Sequence, residues 1–170
     1  MNSENVLFPN WEGNNLELSI ASFGSPQEIE TALRNVVAQS GMYISPSLWA
    51  RFEFAPRVHS PLVNQPRVFS SSRLVKDADD ATIQQKLLEY QTPFEDFVHL
   101  LELHASNPYA SMLMTSGFSD FYNIVYVTGK NSMVITVRLS WGRAFRSWAV
   151  NYRACGRSHP SGCVVVHPAR

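Results

Sequence analysis

Four side chains in the C-terminal tail, Cys155, His159, Cys163 and His167, recur at every fourth residue. Two thiols and two imidazoles are the donor set of a structural Cys₂His₂ zinc site. Their order argues against that use, because a finger places a cysteine pair before a histidine pair and here the ligands alternate. On one strand, Cys163 and His167 would stand about 13 Å apart, too far for a single ion. The tail is therefore expected to hold reduced thiols, with no metal and no obligatory disulfide.

A second constellation lies upstream. Glu95, His99 and Glu102 follow an i, i+4, i+7 spacing that places them on one helix face, with His104 outside that stripe. Carboxylates flanking an imidazole can bind a divalent cation or tune a general base. The same pattern also describes the solvated side of an amphipathic helix whose buried side is Phe94, Phe97, Val98 and Leu101. These three residues, with Tyr122, Tyr126 and Trp148, are the candidates for lining a pocket between helices and sheet. The chain has no G-x-S-x-G, H-E-x-x-H, P-loop or G-x-G-x-x-G motif. No catalytic residue and no cofactor are assigned.

Charge gives the strongest non-local signal. The 14 acidic and 14 basic residues cancel over the chain, but every acid lies in residues 1–120 beside seven bases. Residues 121–170 carry the other seven bases (Lys130, Arg138, Arg143, Arg146, Arg153, Arg157 and Arg170) and no acid. Interleaved with them are Tyr122, Tyr126, Trp141, Phe145, Trp148 and Tyr152. Arginine beside aromatic rings suits a desolvated contact, which makes Arg138, Trp141, Arg143, Phe145 and Arg146 candidates for an interface. Single-stranded nucleic acid also uses stacking and cations. It is disfavoured here by a pI near 7.0 and by the lack of an RNP-like glycine-aromatic signature.

These residues need elements to position them. Ser25-Pro26-Gln27-Glu28 combines an N-cap, a proline at N1 and a glutamate at N3, followed by the stripe Ile29, Ala32, Leu33, Val36 and Val37. Gly41 stands where a helix over 25–40 would end. Thr92-Pro93-Phe94-Glu95 repeats the signature inside a helical region spanning 79–106 and so predicts two helices there. Leu16–Ile20 and Trp49–Phe54 alternate as strands do, and Arg67–Phe69 predicts a short edge strand after a long connection. From residue 119 onward the chain reads as β: Ser119–Thr128, Ser132–Ser140, Ala144–Arg153 and Cys163–His167. A two-residue turn at Gly129-Lys130 would set Tyr122, Ile124 and Tyr126 against Val137, Ile135 and Met133 on one apolar face.

Helices first and adjacent strands last predict an α+β fold, with helices packed on one face of a mostly antiparallel sheet that ends in a C-terminal β-meander. The predicted organisation is a loose arm over 1–14 and a single domain over 15–170. With 170 residues, 45% hydrophobic, and 10 prolines and 8 glycines, the composition excludes wholesale disorder and collagen-like repeats. No apolar run approaches a membrane span, no signal peptide is visible, and two cysteines fit the cytoplasm. The expected function is a non-catalytic binding or assembly module that forms a homo-oligomer or meets a protein partner through its C-terminal sheet. The alternative is a small pocket-bearing enzyme or small-molecule binder with a site between helices and sheet, and a third, weaker reading is single-stranded nucleic-acid binding. Nucleic acid and membrane are not expected partners.

Overall fold

The computed structural model describes residues 7–8, 15–18, 23–52, 66–107, 113, 121–142, 146–154 and 156–169. Its elements in chain order are β1 (Leu16–Leu18), α1 (Pro26–Ser40), β2 (Tyr43–Ile44), α2 (Pro46–Trp49), β3 (Arg67–Arg73), β4 (Ala78–Asp79), α3 (Asp80–Lys86), β5 (Gln91–Thr92), α4 (Phe94–Ser106), β6 (Asn123–Thr128), β7 (Val134–Gly142), β8 (Ser147–Arg153), β9 (Ser158–His159) and β10 (Val164–Pro168). The class is α+β.

The two helix-start signatures have opposite fates. At Ser25 the side chain accepts from the Glu28 amide, and α1 runs to Gly41, whose φ of 64° lets its N–H bond the Val37 carbonyl. The Glu28 carboxylate reaches back to the Gly24 N–H at 2.6 Å, one residue beyond the expected Ser25 amide. Thr92, by contrast, is not a cap. It belongs to β5, which pairs in parallel with β6, and α4 begins after Pro93 with no side-chain cap. A residue preceding proline is biased toward extended backbone, and here sheet pairing takes that residue. The Thr92 hydroxyl is buried with no hydrogen-bond partner among the described residues.

The strand expected over Trp49–Phe54 is corrected by the same local chemistry. Ser45-Pro46 is another cap followed by proline; Ser45 accepts from the Leu48 amide, and α2 winds one turn through Trp49. Phe52 then enters the core, while residues 53–54 lie outside the described residues. Arg67–Phe69 proves to be the start of the seven-residue β3, an interior strand between β1 and β10.

The main sheet has eight strands. Its order is β1-β3-β10-β6-β7-β8-β2, with β5 also on β6; β10–β6, β5–β6 and β2–β8 are parallel and the other pairs antiparallel. Strands β6, β7 and β8 form the meander, and β10 returns to the far side of β6. The register of β6 on β7 departs from expectation. The connecting loop runs from Gly129 to Met133, closed by Gly129 N–H to Met133 C=O at 2.6 Å, with Asn131 and Ser132 at φ of 57° and 60°. Tyr126 therefore faces Thr136 instead of Met133, and Ile124 faces Arg138. That three-residue shift is odd, so it exchanges the faces of β7 relative to β6.

One face of the sheet carries Val125, Val127, Ile135, Val137, Leu139, Trp148, Val150, Val164 and Val166, packed against α1 and α4. The other carries Tyr122, Ile124, Tyr126, Cys163 and Val165 under Leu74, Ala78 and Ile83 of α3 and its approach. Leu7 belongs to this second cluster, and its carbonyl accepts from the Val75 amide at 3.1 Å. Strands β4 and β9 pair separately as a two-stranded ribbon. Among the described residues no helix is long and apolar enough to cross a membrane.

Candidate functional site

The odd register shift brings Arg138 to the second face, beside Tyr122. Its guanidinium carbon lies 4.0 Å from the centre of the Tyr122 ring, within reach of a cation–π contact. Asn151 and Arg153 of β8 point the same way, since Asn151 pairs with Arg138 and Arg153 with Thr136 across β7. With Tyr152, Ala154 and Arg157 they line a cleft of about 370 Å³. Three arginines meet there, and no acid is among the described lining residues.

Behind the cleft runs a buried polar chain. Asp80 and His159 are 2% and 0% exposed, and the His159 Nε2–H donates to Asp80 Oδ1 at 2.7 Å. His159 Nδ1 accepts from the Tyr122 hydroxyl at 3.0 Å, and that oxygen in turn accepts from Arg153 Nη1 at 3.2 Å. Arginine can only donate, so the phenol oxygen accepts from Arg153 and its own O–H donates to the imidazole. Asp80 also accepts from the Tyr126 hydroxyl at 2.8 Å and from the Gly156 N–H at 2.9 Å. Gly156 aims that N–H from a φ of 84°, a conformation glycine adopts without a Cβ clash. Burial opposes charge on Asp80, but the hydrogen bonds from His159, Tyr126 and the Gly156 N–H outweigh it and hold the carboxyl below its usual 3.8.

Local sequence explains how Asp80 comes to point inward. Its neighbour Asp79 caps α3 by accepting from the Thr82 amide at 2.8 Å, so adjacent acids take opposite roles. The groups nearest the chain are not poised for nucleophilic chemistry. Burial raises the Tyr122 phenol and raises the Cys163 thiol, with nearby arginine charges drawing each only partly back. Cys163 is a free, buried thiol.

The sequence candidates separate into several places. Tyr122, Tyr126 and Arg138 join the site just described. Trp148 lies on the opposite face of the sheet, its ring 4.4 Å from that of His104 and nearly perpendicular to it. Trp141 packs edge-on to Trp148 at 6.0 Å and is partly buried against the same core. Arg138 and Trp141, two of the interface candidates, thus lie on opposite faces of the sheet. Arg146 is exposed just before β8 at a φ of 47°, and Arg143 and Phe145 lie outside the described residues. Glu95, His99 and Glu102 sit on α4 against the other face; His99 Nδ1 contacts Glu102 Oε2 at 2.8 Å, and the Phe23 ring stacks on His99 at 4.6 Å.

The tail tetrad also comes apart. His159 bonds Asp80 and Tyr122, Cys163 packs in the second core cluster, and His167 Nε2 lies 3.1 Å from the Ser72 hydroxyl. Cys155 lies outside the described residues. The residues missed by sequence reasoning are Asp80, Asn151, Arg153 and Arg157. For the arginines the acid-free C-terminal run was the available signal, whereas nothing local marks Asp80 as a partner of a histidine 79 positions away.

Fold and site together define an α+β protein with an arginine-lined cleft on its C-terminal sheet, braced from within by an Asp–His–Tyr chain. Comparison of the chain with models of known protein families, with curated proteins and with solved structures found no match.

Proposed function

We propose that this protein is a non-catalytic binding module that takes a phosphate-bearing small molecule into the cleft formed by Arg138, Arg153 and Arg157. The observation that carries this reading is that three arginines line one concavity with no acid among its described lining residues. Like charges held together favour an incoming anion. A guanidinium fork matches phosphate oxygens in pairs, and three forks exceed what one carboxylate can accept. A volume of about 370 Å³ leaves room for more than the anion itself. Arg153 is held from behind by Tyr122, which is bonded to His159, itself bonded to Asp80, so ordering this arginine costs little on binding.

Calorimetric titration of a sugar phosphate tests the reading. Wild-type protein should bind, with an affinity that weakens as salt rises, and Arg157→Ala should bind at least ~10-fold more weakly because it removes one exposed fork. Wild type and Arg157→Ala binding equally, or neither binding, would refute it. The setting this reading assumes is the cytoplasm, where such metabolites are abundant.

A second reading, self-association through the basic side of the chain, is favoured by the exposure of Arg146 and Arg157. Neither forms an ion pair among the described residues, while Asp77, Asp79 and Glu89 are exposed elsewhere on the same chain. Light scattering at low salt should then give a mass above that of one chain, reduced by added salt and by Arg146→Glu. A mass of one chain under every condition removes this reading and leaves the first intact.

A further inference from the structure

The first turn of α4, the start of β3 and the segment before β5 line a cavity of about 600 Å³. Its walls are largely apolar, from Phe69, Tyr90, Pro93 and Pro168, with Leu88 at the rim 80% exposed. Three charged side chains line it: Arg67 Nε lies 3.6 Å from Asp96 Oδ2, Asp96 is 6% exposed, and Glu89 is exposed at the edge. The separation is longer than that of a charge-assisted hydrogen bond, so Arg67 can turn toward a ligand oxygen without breaking a short contact. A carboxylate in the first turn of a helix is favoured by the helix dipole, which keeps Asp96 in place as the negative partner.

We infer that this cavity is a second ligand site, and that it takes a zwitterion of amino-acid size with an apolar or aromatic side chain. A ligand with a single charge would be attracted by one member of the Arg67–Asp96 pair and repelled by the other from almost the same distance. A molecule carrying an ammonium and a carboxylate on one carbon presents the complementary dipole: its carboxylate meets Arg67 and its ammonium meets Asp96. Its side chain then lies against Phe69, Tyr90 and Pro93, where burial of apolar surface adds affinity. A smaller cleft of about 420 Å³ shares Leu88, Glu89, Pro168 and Ala169 with this cavity, so there is space for a long side chain. None of the arginine-cleft residues lines either space.

Titration of the full chain with L-phenylalanine, phenethylamine and 3-phenylpropionate tests the inference. Wild-type protein should bind phenylalanine with a Kd of roughly 0.1–1 mM and each singly charged analogue at least ~10-fold more weakly. Arg67→Gln should abolish the preference for phenylalanine over phenethylamine, and Tyr90→Ala should weaken both. Asp96→Asn should lose the preference for phenylalanine over 3-phenylpropionate; if that variant does not fold, the Arg67→Gln and wild-type results decide. Failure of wild type to bind phenylalanine, equal affinity for all three probes, or a preference unchanged in Arg67→Gln overturns the inference. Added sugar phosphate should not compete with phenylalanine, so the two sites stand or fall separately.

Discussion

On the α1/α4 face of the sheet, alternate residues of β6, β7, β8 and β10 are valine, isoleucine, leucine and tryptophan, and their partners are apolar helix side chains. On the opposite face the same strands offer Tyr122, Tyr126, Arg138, Asn151 and Arg153, and the contacts that close it include a buried carboxylate and imidazole. Both faces bury their central residues, but by different means. The first is non-directional: the hydrophobic contribution scales with area and tolerates change of partner. The second is directional, since each donor in the Arg153–Tyr122–His159–Asp80 chain has a particular acceptor. A packed apolar face can hold a fold together; a chain of fixed donors can also hold an arginine in position for a ligand.

That contrast can be broken experimentally, beginning with the largest effect. Asp80→Ala should destabilise the fold by about 3–5 kcal/mol, because it strands a buried imidazole, a phenol and a backbone N–H. Phe97→Ala on the other face should cost a similar ~3–5 kcal/mol through a cavity. A double-mutant cycle distinguishes the mechanisms. Adding His159→Ala to Asp80→Ala should cost far less than it does alone, whereas His159→Ala and Phe97→Ala should add. Additive behaviour in both pairs, read by denaturant unfolding, would show that the polar chain is not a unit.

The buried groups His104 and Asp80 should also respond in different acid ranges. Burial pushes His104, against Trp148, down from 6.5 to about 4. The unfolded state therefore takes up a proton that the folded protein refuses, and stability should fall as pH drops from 6.5 toward 4. His167, also lowered by burial, contributes to the same window, so His104→Gln should flatten the profile without levelling it. Asp80 acts lower. Its folded carboxyl lies below its usual 3.8, so its contribution is present above that value and is lost as pH falls through the folded value. Wild-type stability curves with no loss between pH 6.5 and 4 would contradict the assignment of His104.

Smaller effects sharpen the account at the helix starts. Ser25→Ala should cost about 0.5–2 kcal/mol, the range for removing an N-cap. Thr92→Val should be neutral or stabilising by up to ~1 kcal/mol, since the hydroxyl it removes is buried without a hydrogen-bond partner among the described residues and its shape is kept. A Thr92→Val cost equal to that of Ser25→Ala would mean that Thr92 caps α4 after all.

These two positions show what sequence can carry. Ser25, Pro26, Glu28 and Gly41 specify α1 through bonds spanning four residues or fewer, so the helix was readable end to end. Thr92 has the same local grammar, but its backbone was claimed by β6, a strand more than thirty residues later. The β6–β7 register was misread for a local reason: Asn131 and Ser132 both adopt positive φ, lengthening a turn that looked like two residues. That error had a functional consequence, because the true register is what sets Arg138 beside Tyr122. Of the site itself, the acid-free C-terminal run pointed to Arg138 without singling out Arg153 or Arg157, and the aromatic positions pointed to Tyr122 and Tyr126. Asp80 and His159 were hidden, the first beside an acid that caps a helix and the second within a spacing that resembled a metal site.

In the function we propose, the polar face of the sheet presents Arg138, Arg153 and Arg157 as one anion receptor. The most direct measurement is a set of arginine side-chain N–H spectra recorded during titration with a sugar phosphate. The account predicts that the Nε–H resonances of Arg138, Arg153 and Arg157 shift together along a single saturable curve, while those of Arg34 and Arg67 stay in place. Uniform small shifts across all arginines, or saturable shifts confined to residues outside the cleft, would contradict it.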